Sequence, residues 1–272
     1  MAANIHPTAI VHPEARLRDG VVVGPHVTIE ADVTVGDDCE LMVGAVVRRF
    51  TTLGRGNVLH PYAVLGGVPQ DHKFDAASRT HLRIGDGNVF REYVTISRAT
   101  TPGGETVVGS GCYFMTQSHV GHDSLIGDGV VLTNSAAAAG HVEIGPGAVL
   151  SANTLIHQFC WIGELVMTRG HSGASQHVPP FVILGGVNQV DGLNAVGLRR
   201  AKHITADDRR QIKEAYRLLY RSSLPAGQAL AEMDSRQDWA AAASRFRDFV
   251  RRALSAPEPH DRGVAPARAR NR

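Results

Sequence analysis

Between Val108 and Ile162 the chain reads VGSGCY-FMTQSH-VGHDSL-IGDGVV-LTNSAA-AAGHVE-IGPGAV-LSANTL-IHQFCW-I, with an apolar residue opening every block of six. Working outward, Ile84, Phe90 and Ile96 carry the same spacing. Eleven consecutive steps from Ile5 to Leu65 all land on Ile, Leu or Val. The phase breaks across 66–83, breaks again at the Gly-rich 101–105, and fades at Thr168 and Ala174. Glycine follows the apolar residue at positions such as Gly24, Gly36, Gly127 and Gly145, where we expect tight turns with positive φ. Small or β-branched residues such as Ser124, Ala136, Ala148 and Thr154 recur four positions after it and are expected to point inward. A period of six predicts a parallel β-helix, three blocks closing one triangular coil. The 26 blocks would give about nine coils, ~43 Å tall at ~4.8 Å per coil.

Composition agrees with a folded, repetitive β chain. The protein has 272 residues, 43% of them hydrophobic, 20% charged and only 6% aromatic. Gross disorder is excluded. A net charge of +2 does not suit a nucleic-acid binder. No run of about 18 apolar residues predicts a membrane span. The first twenty residues lack a signal-peptide core, so a cytoplasmic location is expected.

From about residue 194 the period changes to that of helices. Thr205-Ala-Asp-Asp208 reads as a helix start with Thr205 as N-cap. Ile212, Tyr216, Leu219 and Tyr220 follow at helical spacing, Pro225 opens a second helix, and residues 239–254 form a third. The expected organisation is a β-helix over 1–193 with excursions at about 66–83 and 98–106, a helical region over 194–255, and a disordered Pro-, Ala- and Arg-rich tail over 256–272.

Cys39, Cys112 and Cys160 share the small inward position of their blocks, which reads as buried structural thiols rather than a metal or redox pair. Most of the fourteen histidines read as surface residues. One group differs. Residues 18 apart stack on neighbouring coils, so His122, Gly140 and Gln158 share a ridge with His119, His141 and His157. A repeat that does not require imidazoles has gathered four of them. Two chemistries fit: metal ligation by neutral imidazole, or general base catalysis on an alcohol or amine nucleophile. Asp123 could orient His122, but neighbours on a strand point to opposite faces, so this requires a turn at that point. The Gly140 N–H could serve an oxyanion.

The stretches Gln70-Asp-His-Lys73, Gly121-His-Asp123, Ala139-Gly-His141, His157-Gln-Phe-Cys160, Gln176-His-Val-Pro-Pro180, Gly197-Leu-Arg-Arg200 and Tyr216-Arg-Leu-Leu-Tyr220 carry a closer resemblance. In this order they resemble the acyl-[acyl-carrier-protein]–UDP-N-acetylglucosamine O-acyltransferases of lipid A synthesis, over residues 4 to about 250. The resemblance implies a left-handed helix, a homotrimer with active sites between subunits, and no cofactor beyond the phosphopantetheine thioester of acyl carrier protein. It implies no metal. His122 would be the base on the sugar 3-hydroxyl, Asp123 its orienting group and Gly140 the oxyanion donor. Asp71, Lys73, His119, His141, His157 and Gln158 would hold the sugar nucleotide, joined by Asn194 and Arg200 of a neighbouring subunit. Gly170 would set the acyl length, its lack of a side chain admitting a longer 3-hydroxyacyl group. The basic C-terminal region, with Arg209, Arg210, Lys213, Arg217, Arg221, Arg251, Arg252 and the arginines of the tail, would suit an acidic carrier protein or be a solvated face.

Two positions depart from the family pattern: Ser97 stands where a His is usual and Val196 where a Glu is usual. They leave open a 3-amino sugar nucleotide as acceptor, giving an amide. A β-helical metalloenzyme of the carbonic anhydrase kind and a non-catalytic sugar-binding prism are the competing readings.

Overall fold

The computed structural model describes residues 2–269; the tail arginines Arg270 and Arg272 lie outside the described residues. The repeat builds a left-handed parallel β-helix whose three flat faces hold eleven, nine and eight strands among the described residues. Most strands are two residues long, because the rest of each block forms a corner. On the second face His119 pairs with Ala137, and Ala137 with Leu155, in parallel steps of 18 residues. Among the described residues the one antiparallel pair joins Val182–Leu184 to Val190–Leu193 where the helix ends.

The block-opening residues fill the axis as the period requires. Leu41, Leu59, Leu132 and Leu150 are fully buried, and Phe90 stacks on Phe114 at 5.0 Å. Each such side chain contributes ~1.5–3 kcal/mol by leaving water. The three cysteines are free and buried at the inward position, and burial pushes the Cys112 and Cys160 thiols up to about 11. The glycines after the block-opening residue have a different cause from the one expected. A Cβ on Gly36 would lie 2.6 Å from the carbonyl carbon of Gly54, and one on Gly127 2.8 Å from the nitrogen of Pro146. They permit close approach of successive coils. The positive φ falls instead on the second corner residue, including Asp32, Phe50, Asp123, His141 and Phe159 between the second and third faces.

Both excursions leave from that same corner. The first follows Val64–Gly67 of the second face and returns at His81–Ile84 of the third; the second follows Thr95–Ser97 and returns at Glu105–Val108.

Four helices follow among the described residues: α1 (Ala195–Arg200), α2 (Ala206–Tyr220), α3 (Ala226–Ser235) and α4 (Ala241–Leu254). Thr205 caps α2 in a full capping box with Asp208, and α3 follows Pro225, as the sequence predicts. Ile212, Ala215, Phe246 and Val250 bury one face of α2 and of α4. The helical unit is bound to the prism by Arg245–Glu164 at 2.8 Å and Arg252–Glu143 at 2.6 Å, with Arg252 also 3.6 Å over the Trp161 ring.

The tail corrects the expectation of disorder. Residues 256–269 run back along the last coil, where Val264 and Ala267 bridge to His177 and Val190. Ala265 is fully buried and its carbonyl accepts from the Tyr220 hydroxyl at 3.1 Å. Composition misleads here because the unpaired edge of the final coil supplies the backbone partners that such a segment cannot supply itself.

Candidate active site

The corner between the second and third faces brings the predicted pair together. Asp123 takes φ +58°, which turns the chain back between adjacent residues, and its Oδ2 lies 2.8 Å from Nδ1 of His122. The side chains are 16% and 13% exposed, so the contact is shielded but open on one side. Asp123 is held from below: the Thr100 hydroxyl donates to Oδ2 at 2.7 Å, and the Thr100 N–H reaches both carboxylate oxygens at 3.0 and 3.2 Å. Its own N–H donates to the Thr106 hydroxyl at 2.8 Å. Burial works against the carboxylate, but hydrogen bonds from His122 and Thr100 outweigh it and hold its pKa below the usual carboxylate value. A charged Asp123 fixes the Nδ1–H tautomer of His122 and leaves Nε2 free to accept a proton.

One coil above, Gly140 is what makes room for this ring. A Cβ there would lie 2.5 Å from Cε1 and 2.7 Å from Nε2 of His122. Among the described residues the Gly140 N–H has no hydrogen-bond partner. His122, Gly140, His119 and Gln158 line a cleft of about 400 Å³ with Gln70, Ser97 and a floor of Ala137, Ala138 and Ala139. His119 contacts the Thr95 hydroxyl at 2.8 Å, and burial lowers its pKa.

His141 occupies the place of Asp123 one coil higher. Its ring stands perpendicular to His122 at 5.2 Å, and its Nε2 is 3.7 Å from Asp123. Burial lowers its pKa, partly opposed by Asp123 and Asp71. Phe159 stacks on it at 4.6 Å and is in turn met edge-on by His260 of the tail at 5.4 Å. Asp71 and Lys73 lie exposed on the first excursion, whose Gln70 reaches the cleft.

Asp71, Lys73 and His141 border the cleft without lining it, Asp123 meets it only through His122, and His157, Asn194, Arg200 and Gly170 stand apart from it in the single chain. His157 is exposed, with Nδ1 3.2 Å from the Gln158 carbonyl. Asn194 is 7% exposed and caps α1, accepting from the Gly197 N–H and donating to the Leu165 carbonyl. Arg200 is exposed in the last turn of α1. Gly170 sits at the corner between the first and second faces, where a Cβ would meet only the Ala152 carbonyl oxygen at 3.6 Å. Sequence reasoning missed Thr100, Thr106 and Gln70. Thr100 and Gln70 lie on excursion segments that carry no period, and Thr106 lies on the strand where the second excursion rejoins the third face.

Among the described residues one group, His122, Asp123 and His141, brings three metal-binding atoms within 4.8 Å. Its chemistry fits a base better than a metal. The Asp123 oxygens and His122 Nδ1 are already committed to one another and to Thr100.

A family model described as Udp N-acetylglucosamine O-acyltransferase, domain 2, matches residues 177–264. An acyl-[acyl-carrier-protein]–UDP-N-acetylglucosamine O-acyltransferase from an Anaeromyxobacter species is 42% identical over 233 residues, covering 85% of this chain and 90% of that one. The UDP-N-acetylglucosamine acyltransferase of Bacteroides fragilis superposes with a TM-score of 0.87 at 36% identity, covering 96% of this chain and 99% of its own. The UDP-N-acetylglucosamine O-acyltransferase of Moraxella catarrhalis gives a TM-score of 0.89 at 32% identity, with coverage of 96% and 99%.

Proposed function

Since the chain belongs to the acyl-[acyl-carrier-protein]–UDP-N-acetylglucosamine O-acyltransferases, we propose that it performs the first step of lipid A synthesis with His122 as general base. The acyl donor is a 3-hydroxyacyl thioester of acyl carrier protein and the acceptor is the 3-hydroxyl of UDP-N-acetylglucosamine. The observation that carries the mechanism is the 2.8 Å His122–Asp123 contact beneath a glycine with an unclaimed N–H.

Nε2 of His122 takes the hydroxyl proton as the sugar oxygen attacks the thioester carbonyl. Asp123 keeps the ring in place and stabilises the imidazolium. The Gly140 N–H donates to the tetrahedral oxyanion. Collapse breaks the C–S bond, and the departing thiolate takes the proton back from His122. The products are the sugar ester and the carrier thiol.

Gln70, Asp71 and Lys73 on the first excursion, with His119, His141 and Gln158, face or border the sugar nucleotide. Lys73 pairs with phosphate. His157, Asn194 and Arg200 complete the site from the nucleotide side, the last two contributed by a neighbouring subunit of a trimer. The buried cap role of Asn194 means that it would serve the partner mainly by holding α1, whose exposed Arg200 then makes the contact. The acyl chain lies across the small outward residues of the second face toward the open corner at Gly170, which suits a longer chain. The carrier protein docks on α2, where Lys213, Arg217 and Arg221 have no acidic partner among the described residues, whereas Arg251 and Arg252 are bound to Asp234, Asp248 and Glu143. Three free, buried thiols suit a reducing cytoplasm. No helix among the described residues is long and apolar enough to cross a membrane.

Ser97 lines the cleft, so the test runs both acceptors. Acyl transfer from 3-hydroxyacyl carrier protein to UDP-N-acetylglucosamine is compared with transfer to its 3-amino analogue, for the native chain and His122→Ala. Transfer to the hydroxyl sugar, lost by ~10²–10⁴ in the variant, supports the reading. Transfer only to the amino sugar keeps the base and changes the product to an amide. Transfer to neither defeats the acyltransferase mechanism.

A further inference from the structure

We propose that Arg98 is a positioning residue: it pins the first excursion, residues 68–80, against the prism and so fixes the sugar-nucleotide contacts that the loop carries. This rests on the reading of Gln70, Asp71 and Lys73 as substrate contacts given above.

Arg98 is 6% exposed and, among the described residues, its side chain makes no ion pair and no hydrogen bond. A buried guanidinium without a carboxylate is costly unless something else meets it. Two aromatic rings do. Its Cζ lies 5.4 Å from the centre of Phe50 and 5.5 Å from that of Phe74. Of the nearby arginines, Arg48 is paired with Glu30 and Arg49 with Asp32, while Arg79 faces the Phe50 ring but not, among the described residues, that of Phe74.

The two rings belong to different parts of the fold. Phe50 is a corner residue of the prism, held at φ +63° and faced also by Arg49 and Arg79. Phe74 belongs to the excursion; it follows Lys73, and its N–H donates to the Asp71 carbonyl at 3.0 Å. Arg98 therefore bridges the rigid corner and the turn that presents Asp71 and Lys73. Its own N–H donates to Gly67 at 3.0 Å, where the excursion departs, and the preceding Ser97 lines the catalytic cleft. A planar guanidinium can lie against both rings at once; a lysine ammonium is a point charge and cannot.

The test uses Arg98→Met, Arg98→Lys, Phe74→Leu and the double variant Arg98→Met/Phe74→Leu in the full-length protein. Hydrogen exchange of the 68–80 amides is read beside KM and kcat for UDP-N-acetylglucosamine. We expect faster exchange confined to the excursion and a KM raised about tenfold (~1.4 kcal/mol), with kcat within about twofold. The double variant should be no worse than the weaker single one, and Arg98→Lys should recover only part of the loss. Unchanged exchange, unchanged KM, losses that add in the double variant, or a fall in kcat at constant KM would each overturn the proposal. Should Arg98→Met not fold, Phe74→Leu alters the pin from the half-buried loop side and decides by the same measurements. Native transfer to UDP-N-acetylglucosamine is measured first. Its absence would defeat the substrate reading, and the exchange data alone would then judge the pin.

Discussion

A single methyl group at residue 140 should separate catalysis from folding. Gly140 has an ordinary φ, so alanine brings no backbone strain there. Its Cβ would instead lie 2.5 Å from Cε1, 2.7 Å from Nε2 and 3.0 Å from Nδ1 of His122. Such approaches are not tolerated, and the atoms in the way belong to a side chain that can turn. His122 would swing out and lose its 2.8 Å contact with Asp123. An off-rotamer ring costs ~0.5–1.5 kcal/mol, which lowers Tm by only about 1–6 °C in a chain of this size. A misplaced general base costs ~10²–10⁴ in kcat, equivalent to ~2.7–5.4 kcal/mol in the barrier. The Gly140→Ala variant should therefore fold, keep its circular dichroism and nearly its Tm, and lose at least about a hundredfold in acyl transfer. It retains its backbone N–H, so loss of the oxyanion donor cannot account for the result. Gly121→Ala is the contrast: its Cβ would meet the Ala139 carbonyl carbon at 2.6 Å and the Gly140 nitrogen at 2.7 Å, which are backbone atoms that cannot rotate away. That variant should fail in stability first. A folded Gly140→Ala enzyme with activity within about fivefold of native would refute His122 as the base in this geometry.

Further outcomes follow from the same contacts. Thr100→Val removes the 2.7 Å hydroxyl contact with Asp123 but keeps the backbone donor, and should lower kcat ~10–100-fold without changing the KM for the sugar nucleotide; an unchanged kcat would remove Thr100 from the catalytic unit. Burial lowers the pKa of His119, His141 and His177, so the unfolded chain binds protons first as pH falls. Their stabilising effect is complete above the ordinary histidine range and is lost as pH drops through it, so Tm should fall between about pH 7.5 and pH 5.5; calorimetry showing a flat or rising Tm would contradict this. Gly170→Met fills an open corner and should shift acyl preference toward shorter chains at little cost in Tm, read by competition between carrier proteins of different acyl length. Deleting residues 257–272 exposes the edge at His177 and Val190 and should lower Tm by several degrees; an unchanged Tm would mean that the tail only rests on the surface.

The prism is legible in the sequence because a period of six leaves few ways to bury the apolar position of each block. The faces, the inward cysteines and the stacking of residues 18 apart all follow from it. The His122–Asp123 contact does not. Strand alternation argues against it, and what permits it is a left-handed φ at Asp123, a conformation sequence spacing does not report. Thr100 is illegible for a related reason: it reaches Asp123 from an excursion, where residue number no longer gives height along the axis. The tail is misjudged because Pro- and Ala-rich composition describes a segment alone, whereas its order comes from an edge that another part of the fold leaves open.

The first two of these failures share a location. The corner between the second and third faces carries both excursions and the left-handed Phe50, Asp123, His141 and Phe159. Corner residues point away from the axis, so they are released from filling the core while the strands on either side hold them in register. A side chain there can be chosen for chemistry at little cost to packing. Gly140 shows the reverse side of that freedom: the coil spacing is fixed, so an imidazole below it requires the absence of a side chain above it. The rigid repeat sets how far apart the reacting groups stand. In the mechanism proposed above, the irregular excursions would set which way those groups point, through Thr100 beneath Asp123 and through Arg98 beneath the loop of Asp71 and Lys73. On that mechanism, catalytic precision depends most on the segments in which the repeat is interrupted.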